Sequence, residues 1–332
     1  MRKRFWIPLA LASVAAIGFF GIAPGYIEGS MNVVDGKPLI KVSDEARALH
    51  QTLAIVDLHS DSLMWDRDIT HRAERGHMDL PRLQQGNVAL QLFSSVTKTP
   101  KGQNYDANGA DTDNITLLTI EGLHNLEGKA ANLDRLYDAG FRMAGLTHFF
   151  DNELGGSMHG LKKGGLTPFG RDIVQRMEAK GMIVDIAHLS HTGVAEVLAM
   201  ATRPVVSSHG GVQATCKVNR NLTDEEIRGV AKTGGVIGIG YWEGAVCSTD
   251  PRASAKAMKH VRDLVGIDYV ALGSDYDGAT TVRFDTSQLV QVTQALMDEG
   301  FAAEEIAKVM GGNALRVIRA GIVPAVEMSA AK

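Results

Sequence analysis

The sequence predicts an α/β protein folded as a TIM-like (β/α)8 barrel, and three observations carry that expectation. Eight apolar runs rich in β-formers recur along the chain, at Leu53–His59, Val88–Ser94, Thr116–Glu121, Arg142–His148, Ile183–His188, Val205–His209, Gly235–Tyr241 and Tyr269–Ser274. Most are nearly continuous rather than alternating in polarity, the pattern of parallel strands buried on both faces. Amphipathic stretches of helical periodicity separate most of them. Titratable residues gather at the C-terminal ends of the runs, the face on which barrels of this kind carry their sites.

Taken in order, the third to eighth runs are each followed by a helical stretch: Asn132–Ala139, Pro168–Lys180, Thr192–Ala201, Thr223–Thr233, Ser254–Val265 and Ser287–Glu299. Thr223 with Glu226 three residues on, and Asp285 ahead of the last stretch, read as helix N-caps. Gly140, Gly181 and Gly300 stand where helices end. The second-to-third crossover is different. It is shortened to the polar segment KTPKGQNYDANGADTD at 98–113, without helical periodicity, which leaves either an open loop or a different strand order.

A length of 332 residues accommodates one such barrel, here read as residues 44–325, with a tail at 326–332 and a connector at 24–43. Hydrophobic content of 45% with 22% charged residues suits a chain with a substantial core. A net charge of −4 and the lack of a Lys/Arg-rich run past the N-terminus argue against a nucleic-acid partner. Cys216 and Cys247 are too few for a disulfide scaffold and leave one bridge open for an exported protein.

The N-terminus has its own character. Met1-Arg2-Lys3-Arg4 precedes an uncharged apolar stretch from Phe5 to Ala23, near the length that spans a bilayer. The basic flank is expected to stay cytoplasmic, which puts the rest of the chain outside the cytoplasm, on the periplasmic side of an inner membrane. Residues 1–23 thus read as a signal anchor or a signal peptide. The anchor is favoured, because no clean small-x-small cleavage pattern precedes Pro24.

The chemistry is expected at the strand ends. The first run closes on His59-Ser60-Asp61, and an i, i+2 pair on extended chain points both side chains to one face. The third closes on Glu121, the fourth on His148, the fifth on His188, the sixth on His209, and Asp275 follows the eighth. A barrel brings these ends to one mouth, so four imidazoles and three carboxylates would line a single pocket. That gathering points to a metal-dependent hydrolase. Two metals need a shared carboxylate, which Glu121 could supply, with His59 and Asp61 completing one site and His188 and His209 the other. Such ligands suit two Zn²⁺ ions, with Mn²⁺ and Fe²⁺ left open. A hydroxide between the ions would be the nucleophile, Asp275 its acid/base partner, and His148 a donor to the oxyanion. Asp57 and the remaining histidines (His50, His71, His77, His124, His159, His191, His260) read as ordinary structural residues.

These residues lie in stretches that resemble the membrane (renal-type) dipeptidase family of zinc peptidases. The stretches are VDLHSDSL at 56–63, HMDLPRLQQGNVALQLFSS at 77–95, TIEGLHNL at 119–126, GLTHFFDNELGGS at 145–157 and GMIVDIAHLS at 181–190. They continue with PVVSSHGG at 204–211, NRNLTDEEI at 219–227, LGSDYDG at 272–278 and MGGNALRV at 310–317. The resemblance implies a barrel that binds two zinc ions and hydrolyses free dipeptides, including those with a C-terminal D-residue. It implies His59, Asp61, Glu121, His188 and His209 as metal ligands, His148 as a substrate-binding histidine and Asp275 as the catalytic acid/base. It also implies Arg220 as the receiver of the substrate's terminal carboxylate, a role suited to a bidentate guanidinium. A disulfide between Cys216 and Cys247 and a homodimer are further implications. The segment at 98–113 departs from relatives, which usually have a helical crossover there.

Two other functions fit the same residues. One is a related amidohydrolase acting on N-acyl amino acids or lactones, since Arg220 asks only for a free carboxylate. Amidohydrolases that bridge their metals with a carbamylated lysine fit less well, because the fourth run ends in His148. The other is a membrane-tethered, non-catalytic binding protein, which predicts loss of ligands that this chain retains.

Overall fold

In the computed structural model, which describes residues 11, 13–14, 16–65, 67–96 and 116–322, the eight predicted runs close into one parallel barrel. A short strand β1 (Val33–Val34) precedes the barrel strands β2 (Ile55–Asp57), β3 (Val88–Val96), β4 (Thr116–Glu121), β5 (Met143–Gly145), β6 (Ile183–Asp185), β7 (Val206–Ser207), β8 (Val236–Ile239) and β9 (Val270–Leu272). Each pairs with its sequence neighbour, and β2 with β9 completes the ring. The strand order therefore follows the chain through the irregular crossover: β3 and β4 pair directly from Gln91↔Thr116 to Val96↔Glu121. The 98–113 segment itself lies outside the described residues.

Most ladders are shorter than the apolar runs that predicted them. The chain leaves the ladder at Asp57, Gly145, Asp185, Ser207 and Leu272 and continues two or three residues to His59, His148, His188, His209 and Asp275. Those side chains consequently stand above the ring, clear of the strand hydrogen bonds.

The strands show why the runs were continuously apolar. Val56, Leu92, Met143, Ile183, Val206, Val236 and Ala271 pack with Ala314, Val317 and Ile318 of the helix Asn313–Gly321. Alternate residues, among them Ile55, Phe93, Ile120, Ala144, Val184, Ile237 and Val270, pack in a larger cluster with Ile173, Val194, Ile227, Met258 and Val292 from the surrounding helices. The Asn313–Gly321 helix lies across the N-terminal ends of the strands. Arg316 donates to the carbonyls of Gly234 and Asp268, Asn313 to those of Ile267 and Val270, and Arg203 to those of Ala320 and Gly321. One end of the barrel is thus closed, which leaves the C-terminal end as the mouth.

Helices form where expected, at Ala131–Asp138, Pro168–Lys180, His191–Met200, Asp224–Lys232 and Pro251–Val265. Thr223 and Glu226 make a reciprocal capping box. The stretch expected as one helix over Ser287–Glu299 is broken. Asp285 caps a 3₁₀ turn at Thr286–Gln288, accepting the Ser287 N–H at 3.0 Å, and the α-helix runs from Val290 to Asp298. The short Asp285 side chain closes a tight turn before an α-helical turn can begin.

Residues expected as a connector are ordered onto the barrel. A helix at Ala23–Met31 leads into β1, which pairs in parallel with β10 (Thr281–Val282). Glu28 on that helix is buried and ion-paired with Arg67 and Arg75 at the rim of the mouth. Among the described residues no helix is long and apolar enough to cross a membrane; residues 1–10 of the apolar N-terminus lie outside them.

Candidate metal centre

The barrel brings the predicted residues together. His59, Asp61, Glu121, His148, His188, His209 and Asp275 are all buried at the mouth end, and Glu121 is their centre. Its Oε1 lies 2.9 Å from His188 Nε2, 3.3 Å from His209 Nε2 and 3.7 Å from His59 Nε2. Its Oε2 lies 3.4 Å from His148 Nε2. His59 Nε2 is also 3.3 Å from Asp61 Oδ1 and 3.9 Å from Asp275 Oδ1. The rings of His59 and His209 stack with centroids 3.8 Å apart.

Three overlapping groups each bring their donor atoms within 4.8 Å of one another: His59, Asp61 and Glu121; His59, His209 and Asp275; and Glu121, His148 and His188. The donor set fits divalent cations of the zinc type, being imidazole and carboxylate without thiolate. Its electrostatics fit as well. Burial disfavours charge on His59, yet Glu121, Asp61 and Asp275 outweigh it and push the imidazole up to about 10. Burial, and then the Asp61 charge, hold the Asp275 carboxyl well above the ordinary carboxylate range. Three carboxylates this close repel one another unless a cation stands among them. His59 Nε2 faces all three and lies nearest to Asp61.

The other histidines present the opposite polarity. His188 is held well below its ordinary value by burial and then by Arg220, and His209 by burial and then by His59. Neutral imidazole is the form that coordinates a metal. Glu121 remains ionised against burial because His148, His59 and His188 surround it.

Arg220 stands at the wall of the same pocket. Its Nη2 is 3.4 Å from His188 Nε2, its Nη1 donates to the His209 carbonyl at 3.2 Å, and its guanidinium carbon lies 5.5 Å from the Trp242 ring centroid. Gly210 makes room for it, at φ 153°, since a Cβ there would stand 3.0 Å from Nη1. The arginine's loop is tied down from behind. Cys216 and Cys247 are joined by a disulfide, and Asn221 Nδ2 donates to the Cys216 and Ala245 carbonyls, both at 2.8 Å.

Several participants carried no distinctive signal in the sequence. Asp57, read as structural, accepts the backbone N–H of His59 and of Ser274, each at 3.1 Å, and so joins the loops that present His59 and Asp275. Asp185 does the same between the β6 and β7 ends, accepting from Ala187 and Ser208. The one trace of them in the sequence is an acid that ends an apolar run two or three residues before a histidine. His159 sits at the edge of the pocket, its ring centroid 5.2 Å from that of His188 and 4.9 Å from Phe149. His50, His71, His191 and His260 have local partners elsewhere, as a structural reading requires.

Comparison with known proteins gives the family and the fold. The family profile described as "Membrane dipeptidase (Peptidase family M19)" matches residues 103–329. Among curated proteins the chain is 35% identical to "Dipeptidase aclJ" of Aspergillus oryzae, covering 80% of this chain and 77% of that one. It is 27% identical to "Dipeptidase 3" of Rattus norvegicus, over 84% of this chain and 67% of the other. Among solved structures, the probable dipeptidase PvdM from Pseudomonas aeruginosa superposes with a TM-score of 0.72 at 18% identity, covering 83% of this chain and 97% of its own. A metallo peptidase from Rhodobacter sphaeroides, liganded with a phosphinate mimic of the dipeptide L-Ala-D-Ala, gives a TM-score of 0.70 at 20% identity, over 81% of this chain and 99% of its own. These two structures share the barrel.

Proposed function

The chain belongs to the membrane dipeptidase family, peptidase family M19, and from that premise we propose that it hydrolyses the peptide bond of free dipeptides, those with a C-terminal D-residue included, using two zinc ions. At the coarser level it is a hydrolase, a dipeptidase of the metallopeptidase type. The observation that carries the finer reading is the position of Arg220. Its Nη2 lies 3.4 Å from His188 Nε2, so a carboxylate paired with it would stand beside the cluster around Glu121. A free dipeptide carries its terminal carboxylate one residue from its single peptide bond, which suits a cation placed that near the cluster.

His59, Asp61 and Glu121 would hold one ion and His188, His209 and Glu121 the other. When bound, the ions supply a water acidic enough to be a nucleophile at neutral pH and polarise the scissile carbonyl. The chain's own groups do the rest. Asp275, at the edge of the cluster beside His59, takes the proton of the attacking water and passes it to the leaving amine. His148, across Glu121 from His59, donates to the developing oxyanion. Arg220 orients the substrate through its terminal carboxylate. The burial of Asp275 and His148 at the mouth strengthens each interaction they make.

We also place the enzyme outside the cytoplasm, tethered by its N-terminal segment. The basic residues Arg2, Lys3 and Arg4 ahead of an apolar run support this. So do the exposed side chains of Val14, Ile17, Phe19, Ile22 and Ile27 and the disulfide, a bond of oxidising compartments. Recovery of the full chain in a soluble cytoplasmic fraction would refute it.

The test of function is a substrate panel on the zinc-loaded full chain: L,L- and L,D-dipeptides, a tripeptide, a dipeptide amide and an N-acyl amino acid. Hydrolysis confined to free dipeptides is the expected result. Turnover of the N-acyl amino acid with none of the dipeptides would move the assignment to a related amidohydrolase, and no turnover of any substrate would leave a binding protein.

A further inference from the structure

Behind one of the pocket histidines the structure holds an acid, a hydroxyl and an imidazole in sequence. Asp185 closes β6 and is buried. Its Oδ1 accepts the backbone N–H of Ala187 at 2.9 Å and of Ser208 at 3.0 Å. Its Oδ2 accepts the Ser208 hydroxyl. The Ser208 Oγ in turn lies 2.9 Å from His209 Nδ1. A hydroxyl has a single proton. Given to Asp185, it leaves only lone pairs toward the imidazole, so His209 Nδ1 must be the donor. A neutral ring protonated at Nδ1 presents a bare lone pair at Nε2. Nε2 is the atom that faces the pocket, 3.3 Å from Glu121 Oε1 and 3.0 Å from His188 Nε2.

We propose that Asp185, acting through Ser208, is a positioning residue that fixes His209 in the Nδ1–H tautomer and so readies its Nε2 to bind a divalent cation. The inference rests on the metal-site reading above. It is specific to one half of the site, because the Nδ1 atoms of His59 and His188 are buried without such a partner among the described residues. Two of the expected ligands are therefore oriented by packing and backbone, whereas His209 is also set by a hydrogen-bonded relay. Partners of this kind behind a metal-binding histidine raise its basicity and lock its ring.

Chelator-competition titration of zinc into the metal-free full chain tests it, with the apo melting temperature measured in parallel. The wild type should bind about two equivalents. Ser208→Ala should weaken one equivalent by about 10–100-fold and leave the other unchanged, with an apo melting temperature close to wild type. Ser208→Thr keeps the hydroxyl and should restore the affinity. Asp185→Asn is the sharper variant. Its Oδ1 can still accept both N–H groups, but its amide would donate to Ser208, turn the hydroxyl proton toward His209 and force the wrong tautomer. It should weaken the same equivalent at least as much as Ser208→Ala. Unchanged zinc affinity in Ser208→Ala or in Asp185→Asn overturns the relay, as does a Ser208→Thr that binds no better than Ser208→Ala. A wild type that binds no zinc, manganese or iron refutes instead the metal site on which the relay depends.

Discussion

Glu121 Oε1 meets His188 Nε2 at 2.9 Å, joining the end of the third barrel strand to the loop beyond the fifth. The same oxygen is within 3.7 Å of His59 and 3.3 Å of His209, so one carboxylate touches both halves of the cluster. Replacing it by the isosteric amide in Glu121→Gln removes the shared charge and keeps the volume. Dipeptide hydrolysis should fall by about a thousandfold or more, since the charge stabilisation concerned is several kcal/mol. Bound zinc, measured by elemental analysis, should drop below two equivalents. Retained activity would remove the bridging role.

Arg220 should act on binding more than on chemistry. Loss of a charge-assisted hydrogen bond costs about 1.5–3 kcal/mol, so Arg220→Ala is expected to raise KM for dipeptides by roughly 10–100-fold with a smaller change in kcat. The comparison substrate is a dipeptide amide. It lacks the carboxylate and should be equally poor for the wild type and the variant. An amide that discriminates between them as strongly as the dipeptide does would place Arg220 in some other role.

The Cys216–Cys247 bridge spans 31 residues and fastens the segment that carries Arg220. Closing a loop of that size stabilises by about 3–4 kcal/mol in the chain-entropy account. A Cys216→Ser/Cys247→Ser double variant should melt several degrees lower. Because Asn221 hangs from the Cys216 carbonyl, KM should also rise, whereas zinc content should not change. Identical melting curves with and without reductant would contradict this.

His191 predicts a pH dependence away from the metal cluster. Its hydrogen bond to Glu226 raises the imidazole above its ordinary value against a burial effect that lowers it. A raised folded value means that the pairing stabilises fully at pH below the unfolded value of about 6.5. That contribution fades as pH rises through the folded value. The pair is partly exposed, so its worth is at most about 1 kcal/mol. The melting-temperature gap between wild type and His191→Gln should be widest below the unfolded value of about 6.5 and narrow as the pH rises above it. A gap that widens with pH would reverse the assignment.

Much of this was legible in the linear chain because its signals are local. Near-continuous apolar runs specify strands buried on both faces, and all eight lie in the ring. The ligand-type residues followed from the same reading, since anything at a strand's C-terminal end must reach the mouth of a barrel. His59, Glu121, His188 and Asp275 needed no further information to be placed near one another. The polar segment at 98–113 raised the question of strand order, which the β3–β4 pairing answers.

Contacts between distant loops were not legible, because no periodicity encodes them. Asp57 looks like any other residue of its strand until Ser274, 217 residues later, is found donating to it. His159 has no partner nearby in sequence that would mark it, yet it faces His188 once the loop after the fourth strand folds over the pocket. His188 at φ 63° and Asp275 at φ 55° adopt a backbone that side chains other than glycine rarely take, and only surrounding contacts can hold them there. The sequence by itself determined the ligand-type residues that the strand ends bring to the mouth. Tertiary structure decided which nitrogen of His209 faces inward, where Arg220 lies and what fastens it, because each of those depends on hydrogen bonds and packing between strands that meet only when the ring closes.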